Sequence, residues 1–459
     1  MNDASFAELP LSSAMLGNLD RLGYATMTPI QAASLPITLA GSDLIAQAKT
    51  GSGKTAAFAI PLLAKIDSTR FDVQALVLCP TRELAEQVTH ELRRLARAED
   101  NIKILTLAGG VMMRGQRASL EHGAHIVVGT PGRIMDLLDR GNLELGAVNT
   151  LVLDEADRML DMGFHHDITY VAKRVPTHRQ TLLFSATYPE GIAKLAEQFM
   201  RRPKRITVEA RHDDRKIRQL FFEVQDSDRL MAVATLLNHY RPTSTLAFCN
   251  TKARCNDLVE QLSRAGFSAQ ALHGELEQRD RDQVLVQFAN RSCSVLVATD
   301  VAARGLDIAH LEAVINVDVT PEPELHVHRI GRTGRADNEG LTLSLASGKE
   351  MGRVNRLEDE QGRPVKWADL ATLTPASDRP LVPPMATIQI QVERKEKIRA
   401  GDVLGALTGA GGIAGDKVGK ITIGAFSTYV AVQRDVAKAA LKHLGAAKIK
   451  GKTVRVRLL

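Results

Sequence analysis

Residues 44–55 constrain this chain more than any other stretch. The apolar run Leu44-Ile45-Ala46 leads into Ala48-Lys49-Thr50-Gly51-Ser52-Gly53-Lys54-Thr55, which opens a helix-compatible segment. A strand that turns through glycines into a helix belongs to a parallel sheet wrapped by helices. Gly51 and Gly53 let the backbone turn tightly enough for several N–H groups to point at one phosphate, and the helix N-terminus adds partial positive charge. Lys54 is placed to reach the β- and γ-phosphates, and the Thr55 hydroxyl to hold Mg²⁺. A nucleoside triphosphate site is expected here, lined by Ala48, Thr50, Gly51, Ser52, Gly53, Lys54 and Thr55. Ala48 stands where the general pattern has glycine, and taken alone the segment also reads as a ligand-free turn before a helix.

A second motif answers that alternative. Leu151-Val152-Leu153-Asp154-Glu155-Ala156-Asp157 is an apolar strand whose C-terminal end delivers three carboxylates, and such ends are where open α/β sheets place their ligands. Asp154 is the natural Mg²⁺ partner, because that ion keeps much of its water and needs only one or two carboxylates. Glu155 is the candidate to polarise an attacking water.

Strand-like runs at 75–79, 102–107, 125–129, 151–153 and 181–184 alternate with helical stretches. After the basic, polar stretch 201–216 a second series follows at 245–248, 294–298, 313–317 and 341–345. With 459 residues, two or three domains are expected. The reading is a first α/β domain over 1–205, a linker over 206–215, a second α/β domain over 216–371, a proline-rich linker over 372–384 and a small domain over 385–459. The last follows the order strand, helix, strand, strand, helix, strand, with strands at 387–392, 420–423, 429–432 and 453–458. That is a ferredoxin-like pattern shared by RNA-recognition modules and many unrelated proteins. Its aromatic content is low for the common RNA-binding version: Tyr429 sits in the third strand, and Phe426 reads as core or loop.

The net charge of +6 is unevenly spread: residues 385–459 carry 14 basic and 5 acidic side chains, a local +9 that leaves −3 for the rest. A basic segment with an apolar pattern suggests a folded module for a polyanion. Cys79, Cys249, Cys255 and Cys293 form no CxxC pair and read as small core residues of a reducing compartment. No apolar run approaches the length of a membrane span, so a soluble cytoplasmic protein, a monomer without a membrane partner, is expected.

Together these motifs resemble the DEAD-box ATP-dependent RNA helicases, over nearly all of residues 1–345. The name of the family is spelled by Asp154-Glu155-Ala156-Asp157. The resemblance implies two tandem RecA-like domains with ATP and RNA as ligands, Mg²⁺ as cofactor, and Lys54, Asp154 and Glu155 in catalysis. Within Gly23-Tyr24-Ala25-Thr26-Met27-Thr28-Pro29-Ile30-Gln31 it implies that Gln31 reads the adenine edge and Tyr24 stacks on its face; Met27 stands where proline is commoner. Phe6 lies where the family has an upstream aromatic, and reads equally as N-terminal packing. Ser185-Ala186-Thr187 resembles the segment that contacts Asp157 and links hydrolysis to strand separation. Asp300 and Ala302-Ala303-Arg304-Gly305-Leu306-Asp307 resemble the motif that brings Gly305 near the phosphates and Asp307 to the ribose. His328-Arg329-Ile330-Gly331-Arg332-Thr333-Gly334-Arg335 supplies His328 for coupling and Arg332 and Arg335 as arginine fingers, with Arg332 expected on the surface facing an open cleft.

The RNA-contact set implied by the resemblance is Pro80, Thr81, Arg82, Gly109, Gly110, Thr130, Pro131, Gly132 and Arg133 in the first half, with His273, Gly274, Gln278, Arg281 and Thr299 in the second. Hydroxyls, backbone N–H groups and arginines suit phosphate contact without reading bases. Singly, each also reads as a turn or capping residue. The basic tail is similar to that of the DbpA group, which implies binding to a structured segment of large-subunit (23S) ribosomal RNA, on pre-50S particles. Lys448, Lys450, Lys452, Arg455 and Arg457 are the expected contacts, with a solvated basic face as the alternative for each. The implied function is local unwinding of short RNA duplexes by a core tethered to its target; the alternative is an ATP-gated RNA clamp without productive unwinding.

Overall fold

The computed structural model describes residues 4–48, 51–99, 101–208, 217–303, 311–334, 339–377, 379–391, 398–424 and 427–459. It divides into two units, Met1–Arg211 and His212–Leu459.

The first unit holds a seven-stranded sheet: β1 (Leu44–Gln47), β2 (Ala75–Leu78), β3 (Ile104–Leu107), β4 (Ile126–Gly129), β5 (Thr150–Asp154), β6 (Gln180–Ser185) and β7 (Lys204–Thr207). The order is β3-β4-β2-β5-β6-β1-β7, and every pairing is parallel. The strands are short apolar runs because both faces are covered. In β2, Ala75 and Val77 enter one core with Phe58 and Ile60, while Leu76 and Leu78 enter the other with Leu137 and Val171. The polar edge strand β7 pairs with β1 and runs past the expected domain limit at 205.

The second unit repeats this plan with β8 (Ile217–Glu223), β9 (Thr245–Phe248), β10 (Ala269–Leu272), β11 (Val295–Ala298), β12 (Ala313–Asn316), β13 (Gly340–Ala346) and β14 (Trp367–Ala368). Its order is β10-β11-β9-β12-β13-β8-β14, all parallel, which matches the first sheet strand for strand. The fold is therefore α/β with two tandem parallel sheets, as the motifs imply.

The unit ends in a four-stranded antiparallel sheet of β15 (Met385–Ile390), β16 (Val418–Ile423), β17 (Thr428–Gln433) and β20 (Val456–Leu458), in the order β16-β17-β15-β20. A two-stranded ribbon, β18 (Lys448–Ile449) with β19 (Lys452–Thr453), precedes β20 and splits the strand expected at 453–458. Ile388, Ile390, Val430 and Val432 pack against Val403, Leu407, Ala440 and Leu444 of the helices Ala400–Thr408 and Ala437–Ala446.

The opposite face of this small sheet meets the domain that precedes it. Thr387 is fully buried, taking a hydrogen bond from Asn290 Nδ2 at 3.1 Å and meeting the Ser292 hydroxyl at 2.6 Å. Arg457 bonds Gln389 and, at 2.9 Å, Gln283 of the helix Gln278–Ala289. The proline-rich segment is strapped down as well: the Thr374 carbonyl meets His239 Nδ1, and the Arg379 carbonyl accepts from Arg241. The small sheet is docked through polar groups on the domain that precedes it.

Candidate functional site

All strands of the first sheet are parallel, so their carboxyl ends share one edge, and the order divides that edge in two. At β5, β6 and β1 lie the expected nucleotide residues; at β3, β4 and β2 lie the expected RNA residues.

On the nucleotide side, the main chain after β1 turns through Gly51 and Gly53, at φ 83° and 93°. Gly53 caps the helix Lys54–Leu63. A Cβ on Gly53 would come within 2.6 Å of Gln31 Nε2 and 2.9 Å of Thr28 Oγ1, so both conformation and space exclude other residues there. Gln31 is strapped to this turn: its Nε2 donates to the Gly53 carbonyl at 3.2 Å and its Oε1 accepts from the Thr28 N–H at 2.9 Å. Lys54 is buried and donates to the Ala48 carbonyl at 2.9 Å. Ser52 and Thr55 flank Lys54 and are half-buried, whereas Thr50 lies outside the described residues. The Tyr24 hydroxyl bonds Glu91, and its ring meets buried Phe6 edge-on at 6.1 Å. Burial, reinforced by Glu91, pushes the Tyr24 phenol well above its ordinary range.

The carboxylates of β5 sit in contrasting surroundings. Asp154 is buried, and its Oδ1 has no hydrogen-bond partner among the described residues. Burial pushes its proton affinity up, with Glu155 adding to the rise and Lys54 opposing it. Asp157 is saturated: one oxygen accepts from the N–H groups of Ala186 (3.1 Å) and Thr187 (2.9 Å) and from the Thr187 hydroxyl (3.1 Å). Its own N–H donates to Ser185 Oγ at 3.3 Å. Burial alone would raise the Asp157 carboxyl, but the Thr187 N–H and the charges of Lys54 and Arg158 hold it below the usual range. Glu155 adopts a left-handed backbone, φ 52° and ψ 51°, as the N-cap of the helix Ala156–Asp161, a conformation that costs a non-glycine residue about 1–3 kcal/mol. Its carboxylate pairs with Arg158 at 2.7 Å, both side chains being buried.

On the other side, Thr81 caps the helix Arg82–Leu95 by accepting from Leu84 N–H, and Arg82 pairs with Glu86 at 2.8 Å. Pro80 is buried directly after β2. Gly109 and Gly110 follow β3, Gly110 at φ 77°. Thr130 and Pro131 open the helix Pro131–Asp139, where an added Cβ on Gly132 would meet Asp167 at 3.3 Å. Arg133 donates to Gln116 Oε1 at 2.6 Å and to the Val111 carbonyl at 3.2 Å, while Gln116 Nε2 donates to the Ala108 carbonyl at 3.0 Å. Gln116 thus ties the loop after β3 to the helix after β4, a role that a glutamine on a helix does not announce in sequence.

In the second unit His273 is buried after β10 and meets Asn256 at 3.1 Å; Gly274 is exposed beside it. Gln278 pairs with Asp282 within its helix, Arg281 donates to the Ala302 carbonyl at 2.8 Å, and the Thr299 N–H bonds the Leu272 carbonyl. His328 is half-buried, and Arg332 is buried, a correction to the expected surface arginine. Arg329 is the hub of this region: it holds both oxygens of Asp300 at 2.7 Å, Asn250 Oδ1 at 2.9 Å and the Asp318 carbonyl at 2.7 Å. Gly305, Asp307 and Arg335 lie outside the described residues, as does Phe426. In the small domain Lys448, Lys452 and Arg455 are exposed, Lys450 pairs with Asp402 at 3.2 Å, and Arg457 is engaged at the docked face.

Comparison with known proteins matches the chain to three family descriptions: DEAD/DEAH box helicase over residues 28–195, helicase conserved C-terminal domain over 228–337, and DbpA RNA binding domain over 387–458. The ATP-dependent RNA helicase DbpA of Escherichia coli (strain K12) is 52% identical over 452 residues, covering 98% of each chain. The DEAD-box ATP-dependent RNA helicase CshA of Bacillus cereus is 44% identical over 81% of this chain and 71% of its own length. Among solved structures, Saccharomyces cerevisiae Dbp5 bound to RNA and ADP BeF3 superposes with a TM-score of 0.72 at 28% identity, over 80% of this chain and 96% of that one.

Proposed function

Because this chain belongs to the DEAD-box ATP-dependent RNA helicases, of the DbpA type and with that type's RNA-binding domain, we propose that its target is a structured segment of 23S ribosomal RNA during 50S assembly. The small domain holds that segment, and the two-sheet core opens short duplexes beside it at the expense of ATP. The match of residues 387–458 to the DbpA RNA binding domain, in a region of net charge +9, is what carries this reading. The protein acts in the cytoplasm as a monomer.

In this mechanism Lys54 leaves the Ala48 carbonyl for the β- and γ-phosphates, and the N–H groups of the glycine turn cradle them. Gln31, already bonded to that turn, reads the adenine edge, so base recognition and phosphate grip are set by one side chain. The partnerless Asp154 Oδ1 and the Thr55 hydroxyl suit Mg²⁺, which would neutralise phosphate charge. Glu155 orients the attacking water. Arg332 supplies positive charge to the transition state, so hydrolysis waits for the second unit. Asp157, locked to Ser185 and Thr187, passes the state of the nucleotide to the neighbouring strand end. ATP and RNA favour the same state of the protein, which couples their binding. In the small domain Lys448, Lys452 and Arg455 contact RNA; Lys450 and Arg457 are engaged by Asp402 and Gln283.

The test is ATPase and duplex unwinding by the full-length protein on a panel of 23S fragments and random RNA. Stimulation by one structured 23S fragment well above random RNA is expected, lost when Lys448, Lys452 and Arg455 are all changed to alanine. Equal stimulation by every RNA would refute the target. ATPase without strand separation would instead favour the RNA clamp.

A further inference from the structure

Arg158 lies one helical turn beyond Glu155 and pairs with it at 2.7 Å, with side-chain exposures of 6% for the arginine and 5% for the glutamate. Its own N–H donates to Asp157 Oδ1 at 3.0 Å, the carboxylate whose other oxygen holds Ala186 and Thr187. The guanidinium therefore holds the residue assigned to the water, while the main chain of the same arginine bonds the residue that touches the adjoining strand. Glu155 is held in a left-handed backbone, and such a conformation persists only where its surroundings over-determine it. A buried ion pair is a poor device for stability, because desolvation offsets most of its attraction, whereas a fixed planar fork is well suited to setting the plane of a carboxylate.

We propose that Arg158 is a positioning residue for ATP hydrolysis, which fixes the carboxylate of Glu155 in the orientation that receives the attacking water. This rests on the reading of Glu155 given above. In this proposal Arg158 acts on the reaction through Glu155. Its loss slows the chemical step and leaves ligand binding in place.

The experiment is RNA-stimulated steady-state ATPase with the full chain, comparing wild type with Arg158→Gln, Arg158→Lys, Glu155→Gln and the double variant Arg158→Gln/Glu155→Gln. Misplacing a reacting group by about 1 Å costs on the order of 10²-fold, so Arg158→Gln should lower kcat by about that factor, with KM for ATP within about threefold of wild type. Arg158→Lys retains the charge without the fork, and its kcat should fall between the two. The double variant should match Glu155→Gln, since a residue that acts through another adds nothing once that residue is gone. Wild-type kcat in Arg158→Gln, with Glu155→Gln inactive, overturns the proposal and leaves the role of Glu155 standing. Near-wild-type turnover in Glu155→Gln overturns the role of Glu155 itself. Losses that multiply in the double variant, or a fall in kcat accompanied by a matching rise in KM, mark a merely structural arginine. Should Arg158→Gln fail to fold, Arg158→Lys carries the test: turnover equal to wild type counts against the proposal.

Discussion

In the first sheet β5 ends on Asp154, whose Oδ1 is buried with no hydrogen-bond partner among the described residues. In the second sheet β12 occupies the same place in the order and is followed by Asp318, which takes the Asn250 N–H at 2.9 Å and lies 3.5 and 3.7 Å from Arg254 and Arg229. The two carboxylates thus differ in their protein partners. In the second unit Arg229 and Arg329 are almost fully buried and spent on protein partners, Arg229 on Val317, Leu345 and Glu350. One plan of strands thus gives its matching strand ends different polar surroundings in the two copies, which is how a single fold hosts different tasks.

The contrast is broken most sharply through catalysis. Lys54→Ala should abolish ATP binding, whereas Arg332→Ala should keep binding but lose roughly 10³–10⁵ in hydrolysis, the usual worth of an arginine finger. Nucleotide binding by filter or fluorescence, measured beside turnover, separates the two; equal loss of binding in both would end the division of labour. Arg332 is buried, so some loss of thermal stability accompanies the change.

Acid should then act on the second sheet. His326, on the helix Pro323–Ile330, is buried, and neither ring nitrogen has a hydrogen-bond partner among the described residues. Burial, helped by Arg329, pulls its pKa from 6.5 to about 4. An unfolded chain takes up this proton near pH 6.5 and the folded one only near 4, so stability declines as pH falls through that window, by roughly 3 kcal/mol in all. His326→Leu should flatten the acid limb of second-unit stability, read by hydrogen exchange between pH 7 and 4. An unchanged limb would place the acid sensitivity elsewhere.

The paired aspartates give the direct test. Asp318→Asn keeps an oxygen for the Asn250 N–H but removes the negative charge beside Arg254 and Arg229, and should cost about 1–3 kcal/mol. Asp154→Asn should go the other way. Its raised carboxyl gives stability that is present at acid pH and lost as pH rises through its folded value, so the nucleotide-free variant gains on wild type at pH 8 and not at pH 3.5. Melting curves that move together would show that the two strand ends are equivalent after all. The smallest effect lies in the tail, where Lys448→Ala should flatten the salt dependence of RNA affinity by about one phosphate, while Lys450→Ala, already paired with Asp402, should flatten it less.

Both sheets and the nucleotide edge are legible because their determinants are local: an apolar run, a glycine turn and a helix start lie side by side in the chain. What escapes reading lacks that signature. β7 is Lys-Arg-Ile-Thr on an exposed edge and β14 has only two residues, so neither makes an apolar run. Residues 372–384 have a linker's composition, yet they are bound through main-chain carbonyls that carry no sequence mark. The docked face of the small sheet uses Thr387, Asn290, Ser292 and Gln283, so no hydrophobic periodicity foretells it. Gln116, Arg158 and Arg329 matter through partners distant in sequence or through geometry, and a single chain read as text shows neither.

The place of β1 between β6 and β7 also governs the order in which the protein can be born. The strand that leads into the glycine turn ends at Gln47, but its outer neighbour ends only at Thr207. A ribosome adding 5–20 residues per second needs roughly 10–30 s to cover that gap. Until β6 ends at Ser185 β1 has neither neighbour, and until β7 ends at Thr207 its outer side is an open strand edge of the kind that invites mispairing. The nucleotide grip, though encoded early, is therefore among the last parts of the first unit to become real during synthesis.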